Sequence, residues 1–498
     1  MRRTWSAILC LGALLAAARA DDQPQWGERH SRNMVSPEKG LPDSFDPKTG
    51  TNLKWSVRLG TETYSSPVIA NGRIFIGTNN QRPRDPRHKG DRGVLLCLDE
   101  KDGSLLWQLV VPKLEDDIYL DWPRAGICSP PTVEGDRVYA MTNRDEAVCL
   151  DIHGLANGND GPYKDEGKHM ALRGQPAMEP GKLDADVLWL FDLVAETGVH
   201  PHDSTHGSIL LDGQFLYVNT SNGLDSTHRR NPAPEAPSLI VLDKATGRLV
   251  ARDDEGIGAR VYHSTWSCPA LGEVAGRPLV FFCGGDGVVY AFNALRALPP
   301  ARQVLPLQRV WRFDCDPSAP KENIHKYKRN REVGPSNIKS TPVFHNGRVY
   351  VTVGGDIWWG KNKAWLKCVD ASKTGDVTET AERWSYPLRL HCCATPSVHA
   401  GLAFVGDCGR TVHCVDAETG KPYWTHDVRG PVWGSTLVAD GKVYVVTRRG
   451  ELWTFTASKD KQVLGTVRLG STASSTPVAA NGVLYIATHT RLFAIAKP

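Results

Sequence analysis

The chain has 498 residues, 59 Lys and Arg against 55 Asp and Glu, a formal charge of +4 and 41% hydrophobic residues. Three of the positive charges, Arg2, Arg3 and Arg19, fall at the N-terminus, so the rest is close to neutral. A neutral chain of this kind offers no electrostatic footprint for nucleic acid or anionic lipid, and no nucleic-acid partner is expected.

Arg2-Arg3, an apolar run over residues 7–18 and Ala18-Arg19-Ala20 precede Asp21-Asp22. That order is the pattern of a Sec-type signal peptide cleaved after Ala20, not of a membrane span. Cys10 lies in the apolar run without a lipoprotein box, so no lipid anchor is expected. No later stretch is apolar for long enough to span a bilayer. The expected location is periplasmic or extracellular, as a monomer.

Twelve cysteines less Cys10 leave an odd number, without the spacing of a disulfide-stapled mini-protein. Cys97, Cys149, Cys368 and Cys414 occupy one repeated position (LLCLD, AVCLD, LKCVD, VHCVD) and read as small buried residues of a strand. There is no C-x-x-C-H and no C-x-x-C pair, so neither covalent haem nor zinc is expected.

Residues 21–52 are turn-rich and read as an N-terminal arm laid over the domain that fills 53–498. From there the sequence repeats. Eight strand heads, each with an Asx-Gly or related turn behind it, begin at residues 65, 129, 205, 267, 340, 394, 434 and 475. The unit is clearest over 394–430, where four short apolar runs are separated by Gly and Asp turns, an antiparallel meander. A second turn recurs as CLDEKDGSLLW, VLDKATGRLVA and CVDAETGKPYW. In it Asp bonds backbone N–H groups, Gly takes the left-handed conformation, and the aromatic packs on the next unit.

These repeats predict an all-β fold, an eight-bladed β-propeller of four-stranded antiparallel blades. The last unit has three strands, and 53–59 supplies the fourth, closing the ring and removing exposed sheet edges. Insertions at 79–93, 223–237 and 356–364 fall between second and third strands, and those at 111–127, 193–204, 255–264 and 316–338 between blades. Both classes share one face. Residues 159–186 and 296–308 fall on the other. The elaborated face is the expected place for a site.

The residues before each first strand, Tyr64, Cys128, His206, Trp266, Lys339, Cys392-Cys393, Trp433 and Ser474, should ring the channel on that face. Two indoles, a lysine, a histidine and a cysteine pair would suit a planar anionic ligand, though propeller axes are often simply polar and wet. His200-Pro-His202-Asp203 with His206 reads as a solvated or channel-lining loop in preference to a metal cluster, because no second half is visible. There is no G-x-S-x-G elbow for a serine hydrolase.

The D-x-x-T-G-x-x-x-W turns and S-x-P strand heads resemble the pyrroloquinoline quinone (PQQ) repeat superfamily, which includes quinoprotein alcohol dehydrogenases and the propeller of the bacterial outer-membrane assembly machinery. Gln23-Pro-Gln-Trp26 and the run Tyr217–Gly223 look like exported PQQ-like propellers of planctomycete-type bacteria. The resemblance implies PQQ and calcium as cofactors. Cys392 and Cys393 look like the vicinal bridge on one face of the quinone and Trp266 like the indole on the other, with Lys339 and Trp433 beside them; two reduced cysteines or separate bridges are the alternatives for the pair. Asn222, in NTSNGLD, looks like a calcium ligand.

The resemblance breaks at three places. Ser267 stands at the position of the dehydrogenases' general base, Gly285 at that of a cofactor-binding arginine, and the glutamate ligand to calcium has no counterpart. The reading that follows is a binding or scaffold module of the periplasm or envelope, taking an envelope protein, peptide or polymer on its loop-rich face. The alternatives are a PQQ- and calcium-dependent oxidoreductase with an altered site, and a polysaccharide lyase or hydrolase.

Overall fold

In the computed structural model, which describes residues 21–114, 116–203 and 205–498, the chain forms eight antiparallel sheets arranged as propeller blades. The leader pattern of residues 1–20 lies outside the described residues. Each expected strand head opens a blade, from Val68–Ala70 in blade 1 to Val478–Ala480 in blade 8. Blade 8 is closed by the strand Leu53–Arg58, antiparallel to Arg491–Ile495 with Leu53 opposite Ile495 and Arg58 opposite Arg491. Three blades carry a short fifth strand: Val35–Ser36 on blade 7, Leu305–Pro306 on blade 3 and Gly375–Asp376 on blade 4.

The core is a ring, not a centre. The buried apolar residues divide into eight clusters, and each spans two neighbouring blades. Phe75 and Trp107 of blade 1 pack with Val138 and Val148 of blade 2, and Tyr485 of blade 8 packs with Ile74 and Leu96 of blade 1. A lone blade has two bare apolar faces, so each stacks on its neighbours until the ring closes. Cys97, Cys149, Cys368 and Cys414 are buried at the expected third-strand position.

The recurring tryptophan explains the repeat physically. The indole N–H of Trp107 donates to the Ile152 carbonyl at 2.8 Å, that of Trp189 to Lys244 at 3.1 Å and that of Trp384 to Ala417 at 3.0 Å. Each acceptor follows the turn aspartate of the next blade. The turn glycine lies under the same ring. Gly420 has φ +71°, and a Cβ there would come 2.7 Å from the Trp384 ring. Asp416 completes the turn, its carboxylate accepting from the Glu418 and Thr419 N–H groups at 3.0 and 2.9 Å.

The segment before the ring winds around its axis. Backbone carbonyls of Gln23, Pro24, His30, Ser31 and Met34 accept from Ile69, Val133, Leu271, Phe344 and Val438, first-strand residues of five blades. Asn33 pairs its side chain with both backbone groups of Val398 in a sixth. Arg32 is fully buried and donates to the carbonyls of Ile209 at 2.8 Å and Pro269 at 3.1 Å. These contacts lie downstream of the strand heads, so the segment closes the channel toward the face opposite the long insertions.

Candidate functional site

The strand heads meet at the axis. Tyr64, Cys128, His206, Trp266, Lys339, Cys393, Trp433 and Ser474, one from each blade, line a single cavity of about 130 Å³, with Trp26 of the N-terminal segment in the same lining. Toward the elaborated face it is continuous, through Tyr64, His206, Trp266 and Trp433, with a cavity of about 370 Å³. The wall of this upper cavity comes from the insertions: Tyr119 and Trp122 from 111–127, Asp203 from 193–204, His228 from 223–237, His263 from 255–264, and Trp358 and Trp359 from 356–364.

Four of the residues singled out as cofactor contacts therefore share the axial cavity. The Lys339 ammonium stands 3.9 Å from the centre of the Trp266 ring, and the Arg448 guanidinium 3.8 Å from that of Trp433. The cysteine pair divides. Cys392 is buried with its Sγ 3.2 Å from the Gly406 carbonyl, while the Cys393 Sγ faces the Cys408 Sγ at 4.0 Å. Cys393 is thus nearer to a cysteine of its own blade's hairpin than the adjacent-pair reading anticipated.

Asn222 is fully buried and lines neither of the two cavities. Its carbonyl oxygen accepts from the His200 N–H at 3.1 Å and its amide donates to the Ala233 carbonyl at 2.9 Å. Both ends of the side chain are engaged in holding the loop. At Gly285 a Cβ would lie 2.8 Å from the Ser264 carbonyl, so no arginine can stand there, and Ser267 is fully buried. The residues as placed do not fit the calcium, arginine and base contacts that the resemblance implied for a quinone site.

The chemistry-bearing groups gather instead beside the upper cavity. His202 Nε2 and His263 Nε2 are 3.0 Å apart, and Asp203 Oδ2 lies 3.7 and 3.5 Å from them. His228 completes a group of three imidazoles whose nitrogens lie within 4.8 Å of one another, all three residues being buried. Tyr119 stacks on His202 at 5.8 Å, and Trp359 packs on His228 and His263 at 4.3 and 4.5 Å. Burial pushes the His202 imidazole down to about 2, with the neighbouring His263 and His228 adding to the effect. Burial lowers His263 to about 4 against the pull of Asp356.

Asp356 anchors this group. Its Oδ2 accepts from His263 Nδ1 at 3.0 Å and from Asn337 at 3.0 Å, and pairs with the Lys339 ammonium at 3.2 Å. The neighbouring Lys339 and His263 hold the carboxyl well below its usual range despite full burial. Its other oxygen accepts from the Trp358 and Trp359 N–H groups at 2.9 and 3.2 Å, so it also sets the cavity wall.

The sequence singled out His202, Asp203 and His206 together but not their partners. In the fold His206 turns to Trp266, 4.4 Å between ring centres, while His202 and Asp203 meet His228 and His263. The insertion pattern gave the shared face but not the meeting of the loop tips. Residues 193–204, 223–237 and 255–264 all belong to one face of neighbouring blades, and each holds one or more members of the cluster.

A sequence-family profile described as outer membrane protein assembly factor BamB, of the PQQ-repeat type, matches residues 38–158 and 362–496, together more than half of the chain. No curated protein sequence matches. Among solved structures, BamB from Moraxella catarrhalis is similar with a TM-score of 0.52 at 13% identity, covering 89% of this chain and 96% of its own. The quinohemoprotein alcohol dehydrogenase ADHIIG from Pseudomonas putida HK5 is similar with a TM-score of 0.59 at 12% identity, over 96% of this chain and 81% of its own. A europium-containing methanol dehydrogenase gives 0.51 at 12% identity, over 95% and 98%. At such identities the structures speak for the fold alone, and it is the profile match that shows the chain to belong to the BamB-like family of PQQ-repeat propellers.

Proposed function

We propose that the chain is a ligand-binding propeller of the cell envelope that takes a saccharide segment of an envelope polymer end-on, at the aromatic cavity of its loop-rich face. The carrying observation is the cavity wall, where Trp122 and Trp358 remain 41% and 39% exposed beside Tyr119 and Trp359. Large aromatics left open around a concavity mark a binding surface. A pyranose ring matches it, with an apolar C–H face for an indole and hydroxyls for Asp203 and His206. The winding of residues 23–34 across the other end of the axis supports entry from one side only. The signal-type leader supports an envelope location.

The test is a fluorescence titration with a panel of envelope-type oligosaccharides, run on the wild type and on Trp358→Ala and Trp122→Ala. Saturable quenching that weakens by about two- to tenfold in the variants is expected, the range for a lost aromatic contact. Absence of quenching by every saccharide, with an envelope protein captured only by the wild type, would replace this reading with a protein platform. Calcium-dependent quenching by PQQ, abolished in Trp266→Ala, would replace it with the oxidoreductase.

A further inference from the structure

The two central imidazoles of the histidine cluster are arranged in a way that their own hydrogen bonds make unfavourable. His202 Nδ1 faces the Leu224 carbonyl at 2.5 Å, and His263 Nδ1 faces the Asp356 carboxylate at 3.0 Å. Both partners are acceptors only, so both Nδ1 atoms carry the proton. The two Nε2 atoms, 3.0 Å apart, then turn lone pairs toward each other, with the Asp203 carboxylate 3.5 Å from His263 Nε2 on the same side. Two lone pairs and an acidic oxygen converging in a buried space repel one another unless a cation lies between them.

We propose that His202, His228 and His263, with Asp203 as fourth ligand, form a site for one divalent transition ion of the zinc class. The dimensions fit. A tetrahedral ion with metal–nitrogen bonds of about 2.0–2.1 Å holds its donors about 3.3–3.4 Å apart. The pairs among His202, His263 and Asp203, at 3.0, 3.5 and 3.7 Å, bracket that spacing, and His228 brings a nitrogen within 4.8 Å of the other two imidazoles. Three imidazoles and one carboxylate select a borderline metal, whereas calcium and magnesium require a shell of oxygens. The outer contacts are those a ligating histidine needs, since a carbonyl and a carboxylate on the far nitrogens fix the tautomer and aim Nε2 inward.

Asp203, His228 and His263 also line the aromatic cavity, so the ion has a route in. A ligand oxygen seated there would reach the ion by making it five-coordinate or by displacing Asp203, and the ion would then act on it as a Lewis acid. The expectation from cysteine spacing that zinc is absent did not weigh histidines carried on separate loops. This inference stands apart from the saccharide reading, because the site holds its ion whatever ligand the cavity takes.

The test strips the purified full chain with a chelator, reloads it with Zn²⁺ or Co²⁺, and measures metal per chain after gel filtration. About one ion per chain is expected, with a rise in melting temperature and, for Co²⁺, the visible absorption of a tetrahedral nitrogen-rich site. His263→Gln and His228→Gln should each hold less than about a tenth of an ion per chain while keeping the wild-type circular dichroism, and His206→Gln should load fully. Asp356→Asn should weaken binding by about 10–100-fold, the range for a lost outer contact. A folded wild type that takes up no ion, because His202 and His263 share a proton instead, overturns the proposal. So does loading of the two ligand variants equal to that of the wild type, or displacement of Zn²⁺ by equimolar Ca²⁺.

Discussion

His263 Nδ1 and Asp356 Oδ2, both buried, are joined by a hydrogen bond of 3.0 Å. The same carboxylate faces the buried Lys339 ammonium at 3.2 Å and carries the backbone of Trp358 and Trp359. One acid therefore fixes a histidine tautomer, neutralises a buried cation and sets two indoles of the cavity wall. Asp356→Asn keeps the shape and strands the ammonium, which should cost about 3–5 kcal/mol in a urea unfolding experiment. Adding Lys339→Met to it should recover a large part of that loss. Equal loss in the single and double variants would show that the ion pair is not what holds the region.

At the blade 5–6 interface the Trp384 ring covers the turn glycine Gly420, whose φ is +71°. Gly420→Ala meets two penalties. A left-handed alanine costs about 1 kcal/mol, and the new Cβ would come 2.7 Å from the indole. Trp384→Ala should cost about 3–5 kcal/mol through the cavity it leaves. The two should not add, because removing the ring removes the clash, and the double variant should be more stable than the sum of the singles predicts. Additivity within experimental error would mean that the turn and the ring do not touch in solution.

The propeller was legible because its determinants are local and repeated. An Asp–Gly turn, followed in several blades by a Trp that packs on the turn of the next, ties neighbours together, and eight strand heads repeat the same reading. The axial ring was legible for the same reason, since a residue just before each first strand must face the channel. The histidine cluster was not. His202 and His263 are 61 residues apart, and His228 sits in an insertion that belongs to no repeat. Periodicity carries no information about where the tips of such loops meet. Asn222 shows another limit: the motif gives its residue type, but not that its side chain also bonds the His200 N–H and the Ala233 carbonyl. Hydrogen-bond partners of that kind appear only once the chain is folded.

Residues 23–34 bond to first strands all around the ring, and Arg32 has its guanidinium on carbonyls of blades 3 and 4. Burial pushes Arg32 down to about 10. A chain beginning at residue 51 should keep its eight blades, since none of their own four strands lies in the removed part. The amides of Ile69, Val133, Leu271, Phe344 and Val438 lose their acceptors, and their hydrogen exchange should accelerate strongly while second and third strands stay protected. Arg32→Met in the full chain should destabilise it by about 1–3 kcal/mol through carbonyls left unpaired. Unchanged exchange at those five amides in the shortened chain would show that the N-terminal segment does not lie on the ring.

Asp145 gives a pH dependence of unusual sign. It sits in the turn between second and third strands of blade 2, fully buried and with φ 62°. One oxygen accepts from Thr205 Oγ1 at 2.6 Å and the other has no hydrogen-bond partner among the described residues. Burial pushes the carboxyl from 3.8 up to about 8, with Asp192 and Glu146 adding to the rise. The folded state therefore keeps a proton that the unfolded chain releases near its ordinary value. This contribution to stability is fully present below pH 3.8, falls as pH rises, and is lost once pH passes about 8. Asp145→Asn keeps the Thr205 contact, tolerates the left-handed backbone and removes the ionisation. Its stability advantage over the wild type should grow between pH 4 and 8, by at most about 1.4 kcal/mol per unit, and then level off. Unfolding free energies at pH 5, 6.5 and 8 decide it. Parallel profiles for the two proteins would mean that Asp145 is already ionised in the folded state and that water or a cation reaches it.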